Sequence, residues 1–270
     1  MIGPLLTREV CEALERGERK VSLDLGRSAA EVDFDEEGWR WDGRRYPYLR
    51  DPRDRTIYWW DGDAFQPVQR YAGALYKLVP TEWGPPTFEI DGIKMLPTAK
   101  LSPWEDARRK VALVRPRGKA VLDCCGGLGY FAAWCLAEGA RRVLSFEKSD
   151  AVLWLRGLNP WSPGPEAAAR GALDLRHGDV AQEIRSLPDA SFDAVLHDPP
   201  RFGTAGELYS QAFYGELARV LKRRGLLFHY TGSPNKLTSR RDVPGEVARR
   251  LRQAGFEARP EGDGVLATRK

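Results

Sequence analysis

The segment Val121-Leu122-Asp123-Cys124-Cys125-Gly126-Gly127-Leu128-Gly129-Tyr130 decides the fold. A short apolar run ends in an acid and breaks into glycines. An apolar stretch of helical character follows, Tyr130-Phe131-Ala132-Ala133-Trp134-Cys135-Leu136. The order reads as strand, glycine loop, helix. Glycines at such a turn accept positive φ and carry no Cβ, so the main chain can come close to a ligand while the first N–H groups of the helix face the same point. The loop is built to hold something polar and flat.

Downstream, strand patterns at 119–123, 142–147, 172–176, 192–197 and 225–230 alternate with helical patterns near 128–138, 149–157, 180–186, 207–222 and 243–254. Strands separated by helices imply a parallel sheet with right-handed crossovers and helices on both faces. The tail, Gly255 to Arg259 and then Gly264 to Thr268, reads as a closing pair of strands, and Lys222-Arg223-Arg224 as the basic end of a helix. Upstream, Ser102-Pro103-Trp104-Glu105 has the form of a helix start, with Ser102 as N-cap, Pro103 at the first helical position and Glu105 completing a capping box.

Before that helix the period changes to two. After a short opening helix over Leu5–Arg16, alternating runs occur at Val21–Leu25, Ala30–Phe34, Trp39–Trp41, Thr56–Trp60, Pro67–Tyr71, Ala74–Val79 and Thr87–Met95. The expected division is an N-terminal β-rich domain, 1–100, and an α/β Rossmann-like domain, 101–270. The many Trp and Tyr residues of the first domain are expected mainly as its core rather than as a base-stacking platform.

Composition narrows the function classes. Lys+Arg of 42 against Asp+Glu of 38 gives a net charge of +4, a mild bias that permits a nucleic acid without requiring one. Cys11, Cys124, Cys125 and Cys135 have no zinc spacing and read as buried thiols in a reducing compartment. No metal site is expected. The first thirty residues lack a leader pattern, and no apolar run approaches the ~20 residues that cross a bilayer. The expectation is a cytoplasmic protein with no membrane partner. Asn at 159 and 235 only, two Met, and abundant Arg and Pro fit a thermophile source.

In open α/β sheets the ligand sits outside the carboxyl ends of the strands. Those ends deliver Asp123 with Gly126, Gly127 and Gly129, then Glu147, then Gly178-Asp179, then Asp198-Pro199-Pro200-Arg201-Phe202. Gly127 to Ala132 also fits a dinucleotide fingerprint, but a dehydrogenase has no need of Asp-Pro-Pro. The series resembles that of the class I S-adenosylmethionine-dependent methyltransferases, over 119 to about 230. The resemblance implies a seven-stranded sheet with an antiparallel last strand and S-adenosylmethionine as cofactor. It places Gly126, Gly127 and Gly129 in the cofactor cradle, Asp123 at the base of that loop, Glu147 on the ribose hydroxyls and Asp179 on the adenine amino group. More narrowly, Phe88–Ile93, Pro103–Arg108 and Asp198–Phe202 resemble a group of archaeal-type methyltransferases.

Two successive prolines fix φ and remove two N–H donors, so Asp198-Pro199-Pro200 presents acceptors. An amino group held there has its lone pair aimed outward, and catalysis is mostly positioning. The segment is similar to the Asp-Pro-Pro-aromatic motif of nucleobase amino methyltransferases, with Arg201 inserted before Phe202. The assigned catalytic set is therefore Asp198, Pro199, Pro200, Arg201 and Phe202, with Tyr209 and Tyr230 expected to bind the acceptor. The acceptor is left open among a tRNA or rRNA base, a protein side chain and a small amine, with an RNA or other nucleobase-type amine slightly favoured. Ala205–Tyr214 and Ile90–Ile93 are similar to the spermidine synthase family, which implies aminopropyl transfer from decarboxylated S-adenosylmethionine as the alternative. Arg201, where that family has a second carboxylate, would repel a polyamine. A non-catalytic cofactor- or RNA-binding module is the third reading, and homo-oligomer formation through the N-terminal domain is left open. Cys124, Cys125 and His197 are expected to pack rather than react.

Overall fold

The computed structural model describes residues 3–35, 37–200, 205–232 and 242–270. The chain divides into two compact units, residues 1–106 with 151–162, and residues 107–150 with 163–270. The second unit holds seven strands: β1 (Ala120–Asp123), β2 (Arg142–Glu147), β3 (Leu173–His177), β4 (Phe192–His197), β5 (Leu221–Tyr230), β6 (Phe256–Glu261) and β7 (Gly264–Arg269). Their order across the sheet is β3-β2-β1-β4-β5-β7-β6. All pairings among β1 to β5 are parallel, and β7 runs antiparallel to both β5 and β6. This is a mostly parallel, Rossmann-like seven-stranded sheet, with the closing pair expected from the tail.

Every residue of β1 is buried, as a strand covered on both faces requires. Ala120 and Leu122 of β1, Phe192 and Val195 of β4 and Leu221 and Leu227 of β5 form one core with Phe213, Tyr214 and Leu217 of the helix Gln211–Val220 and with Val247 and Leu251 of the helix Val243–Gln253. Register positions the site. Asp123 is level with Ser145 of β2 and Leu196 of β4, so β2 runs on to Glu147 and β4 to His197 beyond the end of β1. The order reverses between β1 and β4, which is the topological switch point where such sheets bind ligands.

Two local readings need correction. Lys222-Arg223-Arg224 does not end a helix: the helix stops at Val220, and the three residues lie in β5, with Lys222 paired to Asp193 at 2.6 Å. The helical pattern over 207–222 is also broken. A 3-10 turn covers Gly206–Tyr209, and Ser210 restarts the chain by accepting from the Phe213 N–H at 3.1 Å. A hydroxyl that serves as N-cap begins a new helix rather than continuing an old one. The start at Ser102 is as read, since its Oγ accepts from the Glu105 N–H at 3.0 Å.

The first unit opens with the strand Leu5–Leu6 and the helix Arg8–Glu15, capped by Thr7. Its strands form small antiparallel sheets, the largest of them Ile93–Lys94, Thr87–Ile90, Leu75–Val79 and Gln69–Tyr71 in that order. Trp39, Tyr46 and Phe65 fill its core, with the Trp39 and Tyr46 rings stacked at 4.7 Å. Tyr71 by contrast is exposed. The expected strand Val21–Leu25 is cut short after Val21. Asp24 Oδ1 accepts from the Arg27 and Ser28 N–H groups at 3.0 and 2.9 Å, and such local bonds bend the chain out of a ladder. Residues 151–162 belong to this unit, where the Trp161 indole donates to the Leu25 carbonyl at 3.0 Å.

Candidate active site

The glycine loop is tied between the strands that flank β1. The Cys124 N–H donates to the Leu196 carbonyl at 3.0 Å, and the Gly126 N–H to the Phe146 carbonyl at 2.7 Å. Gly127 and Gly129 have φ of 50° and 84°, conformations that a Cβ disfavours. The Gly127 N–H then donates to Glu147 Oε2 at 2.9 Å, while Oε1 of the same carboxylate accepts from the Ser149 N–H at 2.8 Å. A carboxylate has about four acceptor directions, and these amides take two of them. Beneath the loop, Asp123 is fully buried and accepts from the Ser145 hydroxyl at 2.8 Å.

The tip of β3 adjoins this cluster. The Gly178 N–H donates to the Glu147 carbonyl at 3.0 Å, and His177 Nε2 lies 3.1 Å from the Lys148 carbonyl. Asp179 caps the short helix Val180–Glu183: Oδ1 accepts from the Ala181 N–H at 3.0 Å, and Oδ2 meets Lys148 Nζ at 2.8 Å. Lys148 is 70% exposed, so this ion pair is mostly solvated and readily exchanged for another donor. Gly127, Glu147, Lys148 and Asp179 thus form one bonded chain across three strand tips.

Past the tip of β4, Asp198 is partly buried, Pro199 buried and Pro200 exposed. Arg201 and Phe202 lie outside the described residues. The Tyr209 hydroxyl donates to the Pro200 carbonyl at 3.1 Å. Burial, and then the charge of Asp198, push that phenol well above its ordinary range, so it is a neutral donor. Sequence reading missed Lys110, on the helix Pro103–Val114. It is 1% exposed, with its Nζ 3.9 Å from Asp198 Oδ2, 3.9 Å from Asp263 Oδ2 and 3.8 Å from the centre of the Tyr230 ring. Arg109 pairs with the same Asp263 oxygen at 2.9 Å.

The floor behind Asp198 is aromatic and neutral. His197 and His229, register neighbours on β4 and β5, are fully buried, with ring centres 4.4 Å apart. His197 Nε2 faces the Leu208 carbonyl at 3.1 Å, and His229 Nδ1 faces the Tyr230 carbonyl at 2.8 Å. A carbonyl only accepts, so those nitrogens carry the protons, and His229 Nε2 accepts from the Tyr214 hydroxyl at 3.0 Å. Burial depresses His197 to about 4; it also depresses His229 well below its usual value, with His197 adding to the effect. Neither ring suits a base at neutral pH. Cys124 and Cys125 are also inert as nucleophiles. Burial pushes both thiols up, and the neighbouring Asp123, Glu147 and Asp198 charges raise Cys125 further.

No family model matches the chain. It is 44% identical over 197 residues to an uncharacterized protein, MJ1233, of Methanocaldococcus jannaschii, covering 73% of this chain and 66% of that one. It is 35% identical over 117 residues to polyamine aminopropyltransferase 2 of Streptomyces coelicolor, covering 42% of this chain and 21% of the relative. It is 28% identical over 133 residues to ribosomal RNA large subunit methyltransferase I of Vibrio vulnificus, covering 46% and 33%. The chain therefore spans less than two thirds of the length of the curated relatives it matches. Among solved structures, spermidine synthase bound to the transition-state analogue AdoDATO superimposes with a TM-score of 0.57 at 16% identity, over 74% of this chain and 72% of that one. Spermidine synthase from Thermotoga maritima gives 0.56 at 17% identity, over 84% and 82%. At these identities the likeness establishes the fold, in agreement with the strand order. Among the described residues no helix is long and apolar enough to cross a membrane.

Proposed function

We propose that the chain is an S-adenosylmethionine-dependent methyltransferase whose acceptor is an amine, with an RNA or other nucleobase-type amine favoured. The observation that carries this reading is the bonded chain from Gly127 through Glu147 and Lys148 to Asp179. Three neighbouring strand tips hold bare backbone and two carboxylates together, a donor and acceptor set that fits an adenosyl compound. Gly126, Gly127 and Gly129 give the cofactor's amino-acid part close approach to main chain. Asp123 fixes the base of the loop, Glu147 takes the ribose hydroxyls, and Asp179 receives the adenine amino group in exchange for Lys148.

When bound, the cofactor supplies a methyl group on a positively charged sulfur. The chain's own part is to orient the acceptor. Pro199 and Pro200 have no N–H, so the segment after β4 offers a carboxylate and carbonyls that hold amine hydrogens and leave the lone pair directed at the methyl. Tyr209 fixes the Pro200 carbonyl, and Asp198 is placed to hold the proton released by the methylated nitrogen.

Aminopropyl transfer is the second reading, favoured by the similarity to the Streptomyces aminopropyltransferase and the spermidine synthase fold. One experiment separates the two: labelled methyl transfer to fractionated RNA, protein and metabolites, with decarboxylated cofactor run in parallel. Label entering RNA only with the intact cofactor supports the proposal, and product only with the decarboxylated cofactor and a polyamine replaces it. Calorimetry should show cofactor binding lost in Gly127→Arg and Asp179→Ala and spared in Asp198→Ala, which loses turnover. Undiminished affinity in both of the first two variants removes the cofactor assignment.

A further inference from the structure

We infer that the rim of the seven-stranded sheet where its parallel strands begin, opposite the candidate site, is a docking surface for the phosphate backbone of a folded RNA. The choice of RNA as the polyanion rests on the acceptor reading above; the surface itself does not.

Three turns meet where β1, β2 and β5 begin. The Gly118 N–H donates to the Gly139 carbonyl at 2.7 Å, and the Lys119 carbonyl accepts from the Arg141 N–H at 2.8 Å, so the turn before β1 lies against the turn before β2. Asp193 ties in β5. Its Oδ2 accepts from the Ala120 N–H at 2.9 Å and lies 3.6 Å from Arg141, while Oδ1 meets Lys222 Nζ at 2.6 Å. These turns present Arg115, Arg117, Arg141, Arg142, Arg223 and Arg224, all exposed. Two further cations serve the structure: Lys222 is held by Asp193, and Lys119 Nζ donates at 2.7 Å to the Val114 carbonyl at the end of the helix Pro103–Val114. The other acid of these turns is the exposed Glu138. Nearby, Asp189 and Glu216 are both met by Arg219 at 2.6 Å. Toward the two ends of the rim acids and bases match in number, Glu166 with Arg170 before β3 and Glu257 with Arg269 where β6 starts and β7 ends. The positive excess therefore sits in the middle.

Two of the six arginines occupy backbone that favours glycine. Arg115 and Arg224 have φ of 50° and 62°, conformations that a Cβ disfavours. Arg224 also belongs to a bulge. Between the pairs Phe192–Leu221 and Ala194–Leu226, one residue of β4 is matched with four of β5, so Lys222 to Gly225 are pushed out of the ladder. A cation just past the helix Pro103–Val114 suits the helix dipole, which accounts for Arg115. Arg141, Arg142, Arg223 and Arg224 lie beyond the last turns of the helices before them, where the dipole no longer reaches. What they share is an outward guanidinium, whose planar fork grips phosphate oxygens in pairs of hydrogen bonds. An anionic membrane would call for apolar side chains among the cations. The exposed large hydrophobic residues, Tyr71, Leu75, Trp83, Ile93 and Leu175, all lie outside these turns. With six residues in β4 rising ~3.3 Å each, the rim and the strand tips are about 20 Å apart, so a partner that reaches both is a folded RNA and not a nucleotide.

The test is fluorescence anisotropy of labelled bulk tRNA titrated with the full chain, at salt concentrations from about 50 to about 200 mM. The variant joins Arg115→Gly with Arg224→Gly. Glycine suits both backbone positions, so the melting temperature should hold or rise while two charges are lost. Affinity at about 0.1 M salt should fall at least about tenfold, and the slope of log affinity against log salt should become shallower by about one to two. Arg141→Gln with Arg223→Gln should act alike and takes its place if the glycine variant does not fold. Arg16→Gln with Arg19→Gln removes the same charge from the first unit and should leave the slope unchanged. RNA binding unaltered in the rim variants, or weakened equally in the first-unit variant, overturns the inference. So does a chain that ignores tRNA but binds phosphatidylserine vesicles through the same arginines. The titration contains no cofactor, and S-adenosylhomocysteine binding by calorimetry should be the same in wild type and rim variants. A failed RNA titration thus removes the docking surface and leaves the transferase reading to the labelling experiment, whereas a wild type that binds tRNA through the rim but not S-adenosylhomocysteine defeats that reading and keeps the surface.

Discussion

Lowering the pH from about 8 to about 5 should destabilise the second unit through two histidines that the fold keeps neutral. His197 already donates through Nε2 to the Leu208 carbonyl, and among the described residues its Nδ1 has no hydrogen-bond partner, so an added proton would be buried unsatisfied. His229 donates through Nδ1 and accepts from Tyr214 through Nε2, so a proton there would face a hydroxyl that now donates to it. Around the pair stand Phe213, Tyr209 and Tyr214, and burial holds both phenols neutral. The sign follows from the depressed values. Above about 6.5 both states leave the rings uncharged; below it the unfolded chain takes up protons that the folded one refuses, and stability falls with pH until the folded value is reached. With His197 at about 4 in the fold, the loss at pH 5 from that ring is about 2 kcal/mol, and His229 acts in the same direction. The His197 share alone lowers the melting temperature by roughly five degrees for a unit of this size. The lowered carboxylates Asp35 and Glu246, both near 2, do not titrate in this window. Calorimetric melts in matched ionic strength measure the slope, and His197→Gln should remove the part that this ring contributes, about 2 kcal/mol at pH 5. A melting temperature flat from pH 8 to 5, or a slope untouched by that substitution, refutes the account of the buried pair.

Three substitutions probe the site from other sides. Glu147→Gln replaces one of the two oxygens that receive Gly127 and Ser149 with an amide that cannot accept, so cofactor affinity should drop at least about tenfold by calorimetry. An unchanged affinity would separate Glu147 from the ribose. Tyr209→Phe removes the hydroxyl that holds the Pro200 carbonyl, a bond worth about 1 kcal/mol, and should slow turnover several-fold while leaving cofactor binding intact. Equal turnover would mean that the Pro200 carbonyl needs no tether. Gly264→Ala would set a Cβ 2.4 Å from the His229 carbonyl and 2.8 Å from the Phe228 ring, forcing β7 away from β5. Overpacking of this kind costs roughly 1 to 3 kcal/mol, so an unshifted melting temperature would contradict the packing at that edge.

The parallel half of the fold was legible because each central strand announces itself twice, as a short apolar run and as a polar or glycine residue where the run ends. β1, β2 and β4 were placed within a residue of their observed limits for that reason. Boundaries failed where a side chain competes with the ladder or continues the wrong period. Ser22 and Asp24 bend the chain after Val21, a local bonding choice that alternation of apolar residues does not encode. Lys222 to Arg224 look like solvated helix residues, yet a strand crossing from the helix stop at Val220 to the core at Leu227 must carry them. Asp193, two residues into β4, supplies the carboxylate that makes Lys222 tolerable there.

That the glycine loop, Glu147 and Asp179 meet at neighbouring strand tips could be read from order alone, since acid, glycine loop, acid and Gly-Asp each follow a strand and the sheet brings strand ends together. The group around Lys110 could not, because Lys110 and Asp263 lie on a helix before β1 and in the turn between β6 and β7. A signal was nonetheless present. Ala107, Val111 and Val114 mark the buried face of the helix Pro103–Val114, and Lys110, one residue before Val111 and three after Ala107, falls on that face. A cation at a core position of an amphipathic helix requires a buried anion elsewhere in the chain. Asp198 was already the most constrained acid in the sequence, set between the buried end of β4 and two prolines. Pairing the misplaced lysine with the misplaced acid would have joined the helix to the tip of β4 before any coordinates.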